Sequence, residues 1–450
     1  MKYDFCLVAS WSEQSQKQLV LWGRELENRG YTVAIVSPSP SKLLSESELH
    51  TFVLRDFRDN SNEFSSVEAV ESRYGIPSVD HLTFTERQFY QLSRSEALSR
   101  TVNIANAYHD LFTEHSFRYT FQGRGPEIHK LLANYITEHE NGLPIWVEFS
   151  PFDDTYALTT SLDGRWDNYQ TIPYEKIPDA ERDATHQHIK QFREERRFYA
   201  KNDDTDDSRT TESVISKAVA SVKNTIGRTR PGRLRDQITQ EARLKFNRRV
   251  SDYLLPTVEK SRQLCHDIKY VFFPLQYPIE SRLTVFSPQF YDQLYLVEYL
   301  GRILPSSTQL FVKGHPHHPG HPAPERIRRV AKNDQITFLH YNMHAHETIE
   351  HAEAVVVVNN TIGYESIYYQ KPLLALGNPT YAETPAVTQV PSLADLPEIL
   401  SEKISTTVKE ETTIESIYSL QETSWDGNTA EYSSENVQTV VDSIVNFLNE

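Results

Sequence analysis

The chain of 450 residues has little cysteine, little methionine and no long run of apolar residues. Its two cysteines, Cys6 and Cys265, each lie in an apolar stretch, so each is expected to be a buried thiol and not half of a disulfide. A transmembrane helix needs a run of about eighteen apolar residues, and none is present. The first residues lack the basic leader and the apolar middle of a signal peptide. The sequence therefore predicts a cytoplasmic protein.

Net positive charge is also lacking, because the formal charge is −16, and this argues against general nucleic-acid binding. The charge is uneven, since ten Lys or Arg between Lys217 and Arg249 face only Asp236 and Glu241. This basic segment, residues 217–249, is a candidate for peripheral contact with anionic lipid at the inner face of the membrane, or with a lipid-diphosphate acceptor. A solvated helical face explains the same pattern, and both interpretations stay open.

Short apolar strands alternate with helices in two parts of the chain, residues 1–170 and 261–400. The length exceeds that of one ordinary core, and the strand-helix-strand order predicts a parallel sheet in each part. Glu86–His115 is predicted as one long helix of the first domain. Residues 171–260 are polar and predict a helical, partly basic insertion. Residues 401–450 predict a helical tail that returns toward the first domain.

Polar residues follow three predicted strands of the second domain, in the segments Gln276–Glu280, Lys313–Pro316 and Asn359–Gly363. Ligands of open parallel sheets lie at these carboxyl ends. A helix that restarts at Gly363 exposes backbone N–H groups that suit a phosphate. Gly363 would also permit a close approach to the backbone or an unusual φ. The alternative is that Thr361 is simply a helix cap.

Three further residues of this domain have the chemistry of a nucleotide site. Pro316 ends its strand and directs His315, which could donate to a phosphate oxygen beside the charge of Lys313. Glu365, on the first turn of the next helix, could accept from ribose hydroxyls. An ordinary loop histidine and a glutamate that complements the helix dipole are the alternatives.

Several short motifs of the second domain occur together in a fixed order. They are Pro274-Leu-Gln-Tyr-Pro-Ile-Glu280, Ser287-Pro-Gln-Phe-Tyr-Asp-Gln293, Val312-Lys-Gly-His-Pro316, Asn360-Thr-Ile-Gly-Tyr-Glu365 and Gly377-Asn-Pro-Thr-Tyr381. This order resembles the capsule polysaccharide biosynthesis family, which includes the bacterial capsular Kdo transferases. The resemblance covers about residues 270–381, and more loosely residues 121–150.

The resemblance implies a GT-B-like α/β fold, in which two doubly wound Rossmann-type domains face a cleft. It implies a nucleotide-sugar donor, with a CMP-activated acidic sugar favoured, and neither a metal nor another cofactor. It implies that the donor is bound by Glu280, His315, Glu365 and the loop that contains Asn360, Thr361 and Gly363. The strand-end residues Gln276, Lys313 and Pro316 complete the predicted donor site. Ile279 and Arg282 depart from the family pattern, which leaves the base and the sugar open.

The first domain should then bind a glycan or lipid-linked acceptor and supply a general base. A carboxylate at a strand end is the usual base for an acceptor hydroxyl. Glu127, at a helix start behind two glycines, and Glu148, near the end of a strand, are the candidates, followed by Asp153 and Asp154. With His315 on the donor side, they complete the predicted catalytic set.

The sequence thus predicts a glycosyltransferase of surface polysaccharide or glycolipid synthesis. A polyol-phosphate transferase of the teichoic-acid type, a UDP-sugar epimerase and a non-catalytic assembly component are the alternatives. The histidines between His315 and His346 raise the question of a metal site. The proline-broken spacing of the first four, His315, His317, His318 and His321, places no two ligands on one helix face, and no cysteine accompanies them. The sequence therefore predicts no metal.

Overall fold

The computed structural model folds the chain around two α/β sheets. The described residues are 1–57, 63–88, 91–196, 231–278 and 280–449, with the backbone alone for 231–241. The strands are β1 (Lys2–Val8), β2 (Val33–Ser37), β3 (His50–Val53), β4 (Ser116–Gly123), β5 (Leu143–Phe149), β6 (Thr155–Thr159), β7 (Tyr270–Pro274), β8 (Gln309–Lys313), β9 (Ile336–Leu339), β10 (Ala354–Val357), β11 (Leu373–Ala375), β12 (Val387–Gln389) and β13 (Trp425–Asp426).

Helices cover both sheets and connect their strands. They are α1 (Glu13–Asn28), α2 (Lys42–Ser45), α3 (Val67–Tyr74), α4 (Val79–Leu82), α5 (Phe84–Gln88), α6 (Arg94–Glu114), α7 (Ile128–His139), α8 (Asp179–Glu195), α9 (Pro231–Leu254), α10 (Val258–Asp267), α11 (Ser281–Thr284), α12 (Gln293–Ile303), α13 (Pro324–Val330), α14 (Ala345–Glu350), α15 (Ile362–Tyr368), α16 (Leu396–Lys403), α17 (Glu410–Thr423) and α18 (Ser434–Phe447). None of these described helices is long and apolar enough to cross a membrane.

The first sheet has the strand order β13-β6-β5-β4-β1-β2-β3. Strands β1 to β5 pair in parallel, whereas β6 and β13 are antiparallel to their neighbours. The connection between β5 and β6 is too short for a parallel crossover, so β6 must turn back. The strand order reverses between β1 and β4, which makes the crevice at their carboxyl ends the expected ligand site of this unit.

The second sheet is wholly parallel, in the order β12-β11-β10-β7-β8-β9. When the six strands are numbered 1 to 6 along the chain, their order in the sheet, starting from the β9 edge, is 3-2-1-4-5-6. This is the strand order of the dinucleotide-binding fold. Its switch point lies between β7 and β10. The two doubly wound sheets confirm the predicted GT-B-like α/β class.

The central strands are apolar throughout because helices cover both faces of each sheet. In β7, Tyr270 and Phe272 pack into one buried cluster, while Val271 and Phe273 pack into another on the opposite face. Cys265 and Cys6 are both buried and unbridged, as predicted. The continuous apolar runs of the sequence therefore do become doubly covered strands.

The chain passes between the two units more than once. Helix α8 packs on the second unit, where the rings of Phe192 and Tyr368 lie 4.1 Å apart. At the other end of the chain, β13 pairs with β6 of the first sheet and α18 packs against α1. The Tyr156 hydroxyl donates to the Val440 carbonyl at 2.8 Å. The last helix is thus anchored on the first unit.

One predicted helix is wrong, and one predicted segment lies partly outside the described residues. Instead of a single helix over Glu86–His115, α5 ends at Gln88 and α6 begins at Arg94. The new start is set by Ser93 and Glu96, which form a capping box that satisfies N–H groups at the start of α6. Of the basic segment 217–249, residues 217–230 lie outside the described residues.

Candidate functional site

Gln276, two residues after β7, connects two neighbouring strand ends at the switch point of the second sheet. Its Oε1 accepts from the Asn359 N–H at 3.3 Å, and its Nε2 donates to the Asn359 carbonyl at 3.4 Å and to Glu280 Oε2 at 3.1 Å. The backbone of Gln276 exchanges two more hydrogen bonds with the Gln293 side chain. The amide thus shapes the strand ends in this structure, and its contact with a donor stays a prediction.

Lys313, the last residue of β8, is buried near Glu365 of α15. Burial lowers the pKa of Lys313 to about 8, against the opposing effect of Glu365. Burial likewise raises the pKa of Glu365 to about 8, against the effect of Lys313. Glu365 Oε2 has no hydrogen-bond partner among the described residues and lies 3.8 Å from His346 Nε2. The carboxyl group of Glu365 is therefore buried and has an oxygen that can still accept a hydrogen bond.

His315 is half-buried in the turn that follows β8. Its Nδ1 accepts a hydrogen bond from the His317 N–H at 3.2 Å. A neutral imidazole that accepts at Nδ1 carries its proton on Nε2, so His315 presents Nε2–H as a donor. Its ring centroid lies 5.3 Å from that of Tyr277, and the adjacent Pro316 is exposed. The ring thus has the tautomer needed to donate to an anionic oxygen.

The loop from Asn360 to Gly363 is built by the protein's own hydrogen bonds. Asn360 Oδ1 accepts from the Ile362 N–H at 2.9 Å, whereas Thr361 makes no side-chain cap bond. The buried Tyr381 hydroxyl donates to the Asn360 carbonyl. A Cβ on Gly363 would lie 2.0 Å from the Tyr381 Oη. Gly363 is therefore required for the approach of this ring, and its φ is not positive.

Glu280 and the short helix α11 that follows it lie where the two units meet. Burial raises the pKa of Glu280, against the effects of Arg282 and Gln276. The Thr284 and Thr85 hydroxyls are 2.9 Å apart, and His81 Nε2 lies 2.8 Å from the Val285 carbonyl. Val285 packs into a hydrophobic cluster of the first unit. This segment of the second unit is thus embedded in the first.

Glu148, the predicted alternative base, is buried between two arginines. Arg124 Nε donates to its Oε2 at 2.6 Å, and Arg282 Nη2, from the other unit, donates to its Oε1 at 2.5 Å. Burial acts to raise the pKa of Glu148, but Arg282 and Arg124 outweigh it and lower the pKa. A carboxylate with both oxygens occupied and a lowered pKa favours a structural role. Its catalytic role stays a prediction.

Glu127 stands at the switch point of the first sheet, directly before α7. It occupies the N-cap position, but its side chain makes no cap hydrogen bond. Its Oε2 lies 3.5 Å from Lys130 Nζ, which donates to the Gly123 carbonyl at 3.2 Å. The adjacent His129 Nε2 lies 2.9 Å from the Ala9 carbonyl at the end of β1. Glu127 is thus the predicted base that the fold places in the crevice of the first sheet.

The histidines of the loop after β8 lie close to one another in two pairs with tilted rings. His318 and His321 have ring centroids 5.3 Å apart, as do His315 and His317. Within the part of the chain that the structure describes, no group of three or more His, Cys, Asp or Glu is arranged to hold a metal ion.

Arg124, Arg282 and Glu86 contact this region and were not among the predicted site residues. Glu86 accepts from the Ile128 N–H at the start of α7. Arg124 lies in a Gly-rich motif and Arg282 interrupts the family pattern, so both are visible in the sequence. Their pairing with Glu148 joins residues 24 and 134 positions apart, and no local pattern encodes it.

Two doubly wound sheets with polar residues at both switch points define a two-unit α/β protein of GT-B-like architecture. Residues 222–397 match the family model described as Capsule polysaccharide biosynthesis protein. The Capsule polysaccharide export protein KpsS of Escherichia coli is 33% identical over 85 residues, which are 18% of this chain and 22% of that protein. The chain thus aligns with about a fifth of this relative. The resemblance to the capsule family is confirmed.

Solved structures that align with this chain have low sequence identity to it. KpsC of Thermosulfurimonas dismutans, titled beta Kdo 2,7 transferase, is 13% identical with a TM-score of 0.37, covering 76% of this chain and 88% of that one. A UDP-GlcNAc 2-epimerase of Methanocaldococcus jannaschii, in complex with UDP-GlcNAc and UDP, is 10% identical with a TM-score of 0.33, covering 99% and 100%. The fold assignment therefore rests on the strand order of the two sheets.

Proposed function

We propose that this chain is a glycosyltransferase of capsule or other surface polysaccharide synthesis. It transfers a sugar from a nucleotide donor, with a CMP-activated acidic sugar favoured, to a glycan or lipid-linked acceptor. The observation that carries the proposal is the place of the family match, which spans the strand ends that hold Gln276, Lys313, His315 and Asn360. Such ends, at the switch point of a 3-2-1-4-5-6 sheet, are where nucleotides bind.

On the donor side, His315 and Lys313 supply the positive charge and the N–H donor that a leaving phosphate needs. The backbone turn at Asn360–Gly363 approaches the same phosphates, and Glu365 accepts from ribose hydroxyls. The proposal includes neither a metal ion nor another cofactor, because Lys313 supplies the charge and His315 the N–H donor to the leaving phosphate.

On the acceptor side, Glu127 acts as the general base. The acceptor oxygen forms a bond to the anomeric carbon of the donor sugar while the bond from that carbon to the phosphate oxygen breaks. The electron pair of the broken bond leaves with the nucleotide, and the hydroxyl proton passes to the Glu127 carboxylate. With a CMP-sugar the products are the extended acceptor and CMP.

The exposed face of α9 fits a lipid-linked acceptor at a membrane surface. Phe246 and Tyr253 are both exposed large apolar side chains, two helical turns apart, with the exposed Arg249 between them. Aromatic and basic side chains on one helix face suit an anionic interface. Flotation with phosphatidylglycerol vesicles should retain the protein at low salt, and Phe246→Ser with Tyr253→Ser should abolish retention. Failure of the native chain to float would refute membrane contact.

A donor screen tests the enzymatic assignment. The purified chain is incubated with CMP-, UDP- and GDP-sugars and with CDP-glycerol, and the released nucleotide is identified. CMP release from a CMP-sugar is expected, unchanged by a chelator. Diphosphate release would keep glycosyl transfer but change the donor. CMP release from CDP-glycerol, or interconversion of a UDP-sugar without transfer, would replace the proposal by a polyol-phosphate transferase or an epimerase.

A further inference from the structure

The N-terminus of α7 is capped by a residue from another helix. The side chain of the N-cap residue often accepts a hydrogen bond from a free N–H group of the first turn. Glu127 does not, because its side chain makes no cap hydrogen bond. Instead Glu86 Oε1, from α5, accepts the Ile128 N–H at 3.3 Å. The Glu127 carboxylate is therefore not used for capping.

Glu86 is suited to this role because it is fixed from two sides. Its side chain is 1% exposed, and its Oε2 lies 3.3 Å from Arg100 Nη1 on α6. A buried carboxylate that is ion-paired and hydrogen-bonded holds its position better than an exposed one. Glu86 thereby ties the start of α7 to α5 and α6.

The space for the Glu127 carboxylate is made by a glycine. A Cβ on Gly125 would lie 2.0 Å from Glu127 Oε2 and 3.0 Å from Lys130 Nζ. The φ of Gly125 is not positive, so the backbone conformation alone does not require glycine. Gly123, two residues earlier at the end of β4, would have nothing within 4 Å of its Cβ. The Glu127 carboxylate therefore requires glycine at position 125 but not at position 123.

We propose that Glu86 and Gly125 are positioning residues that hold the Glu127 carboxylate in the crevice of the first sheet. Glu86 does so by capping α7 in place of Glu127, and Gly125 by leaving the volume that the carboxylate occupies. The proposal rests on the proposed function in one respect, since that function assigns Glu127 as the base. It adds that the position of the base is set by two residues that touch no substrate.

The test compares Gly125→Ala with the matched control Gly123→Ala. Crystal structures of both variants report the carboxylate position without any substrate, and release of CMP from CMP-Kdo reports turnover. Because the Cβ at 125 meets the end of a flexible side chain, the fold should survive while the carboxylate moves by about 1 Å or more. A displacement of this size should lower kcat about 100-fold and leave the donor KM within about twofold. Gly123→Ala should change neither.

Two further variants separate positioning from general stability. Glu86→Ala should lower kcat, and Glu86→Gln, whose amide oxygen still accepts the Ile128 N–H, should restore most of it. Equal losses in these two variants would refute the role of Glu86. An unmoved carboxylate in Gly125→Ala, or a moved one with unchanged kcat, would refute the role of Gly125. Full turnover by Glu127→Gln would instead refute the base that the proposed function assigns, with the positioning contacts still measurable in the crystal.

Discussion

Replacing Glu148 by Gln should destabilise the protein more than any exposed ion-pair substitution. The Glu148 side chain is 4% exposed, and its partners Arg124 and Arg282 are 8% and 9% exposed. Removing the anion leaves two buried guanidinium groups without their shared partner. Breaking a buried pair from one side costs about 3–5 kcal/mol, which is the loss of unfolding free energy expected here.

Urea denaturation followed by tryptophan fluorescence measures this loss, and the buried Trp146, 4.9 Å from the Arg124 guanidinium, reports on the site. The matched control is Glu46→Gln, because the Glu46 pair with Lys42 is exposed on both sides. The control should change the unfolding free energy by less than about 0.5 kcal/mol. The double variant Glu148→Gln with Arg282→Gln no longer contains one of the two unpaired cations. Its loss of unfolding free energy should therefore be smaller, by about 1–3 kcal/mol, than the sum of the losses in the two single variants.

The pH dependence of stability gives a second measurement on the same variant. Because Arg282 and Arg124 outweigh burial, the folded-state pKa of Glu148 lies below its ordinary value of 4.5. The stabilisation is therefore present above about pH 4.5 and is lost as the pH falls through the folded-state pKa. Glu148→Gln should lack this acid-induced loss. A variant with native stability and no turnover would refute the structural role and restore Glu148 as a candidate base.

Three further predictions concern the donor side. His315→Ala should abolish CMP release while circular dichroism stays native, whereas His317→Ala, which keeps the backbone N–H that orients His315, should retain turnover. Gly363→Ala should cost about 1–3 kcal/mol of unfolding free energy by overpacking against Tyr381 and should raise the donor KM, as measured by denaturation and by initial rates. The pKa of Glu365 is raised to about 8, so its contribution to stability is full below about pH 4.5 and is lost as the pH rises through about 8. The melting temperature of Glu365→Gln should therefore rise relative to that of the native chain between about pH 5 and pH 9. A constant difference between the two melting curves would contradict this last assignment.

The sequence by itself determined the two sheets and the edge at which their polar residues lie. The strands of the two sheets, apart from the short β13, fall within residues 1–170 and 261–400, where the sequence alternates short apolar runs with helical patterns, because helices cover both faces of each sheet. The long helix over Glu86–His115 failed because its apolar pattern continued across a break that the Ser93 capping box sets.

Only the tertiary structure showed which groups each polar residue at those edges contacts. Glu127 and Glu148 look alike in sequence, as acids near a strand end or a helix start. The fold buries Glu148 between two arginines, one of them from the other unit, and gives the capping of α7 to Glu86 instead of Glu127. Gly363 likewise looked like a phosphate-loop glycine and proved to be the contact surface of a buried ring. These roles depend on partners far away in the chain, and local patterns cannot specify them.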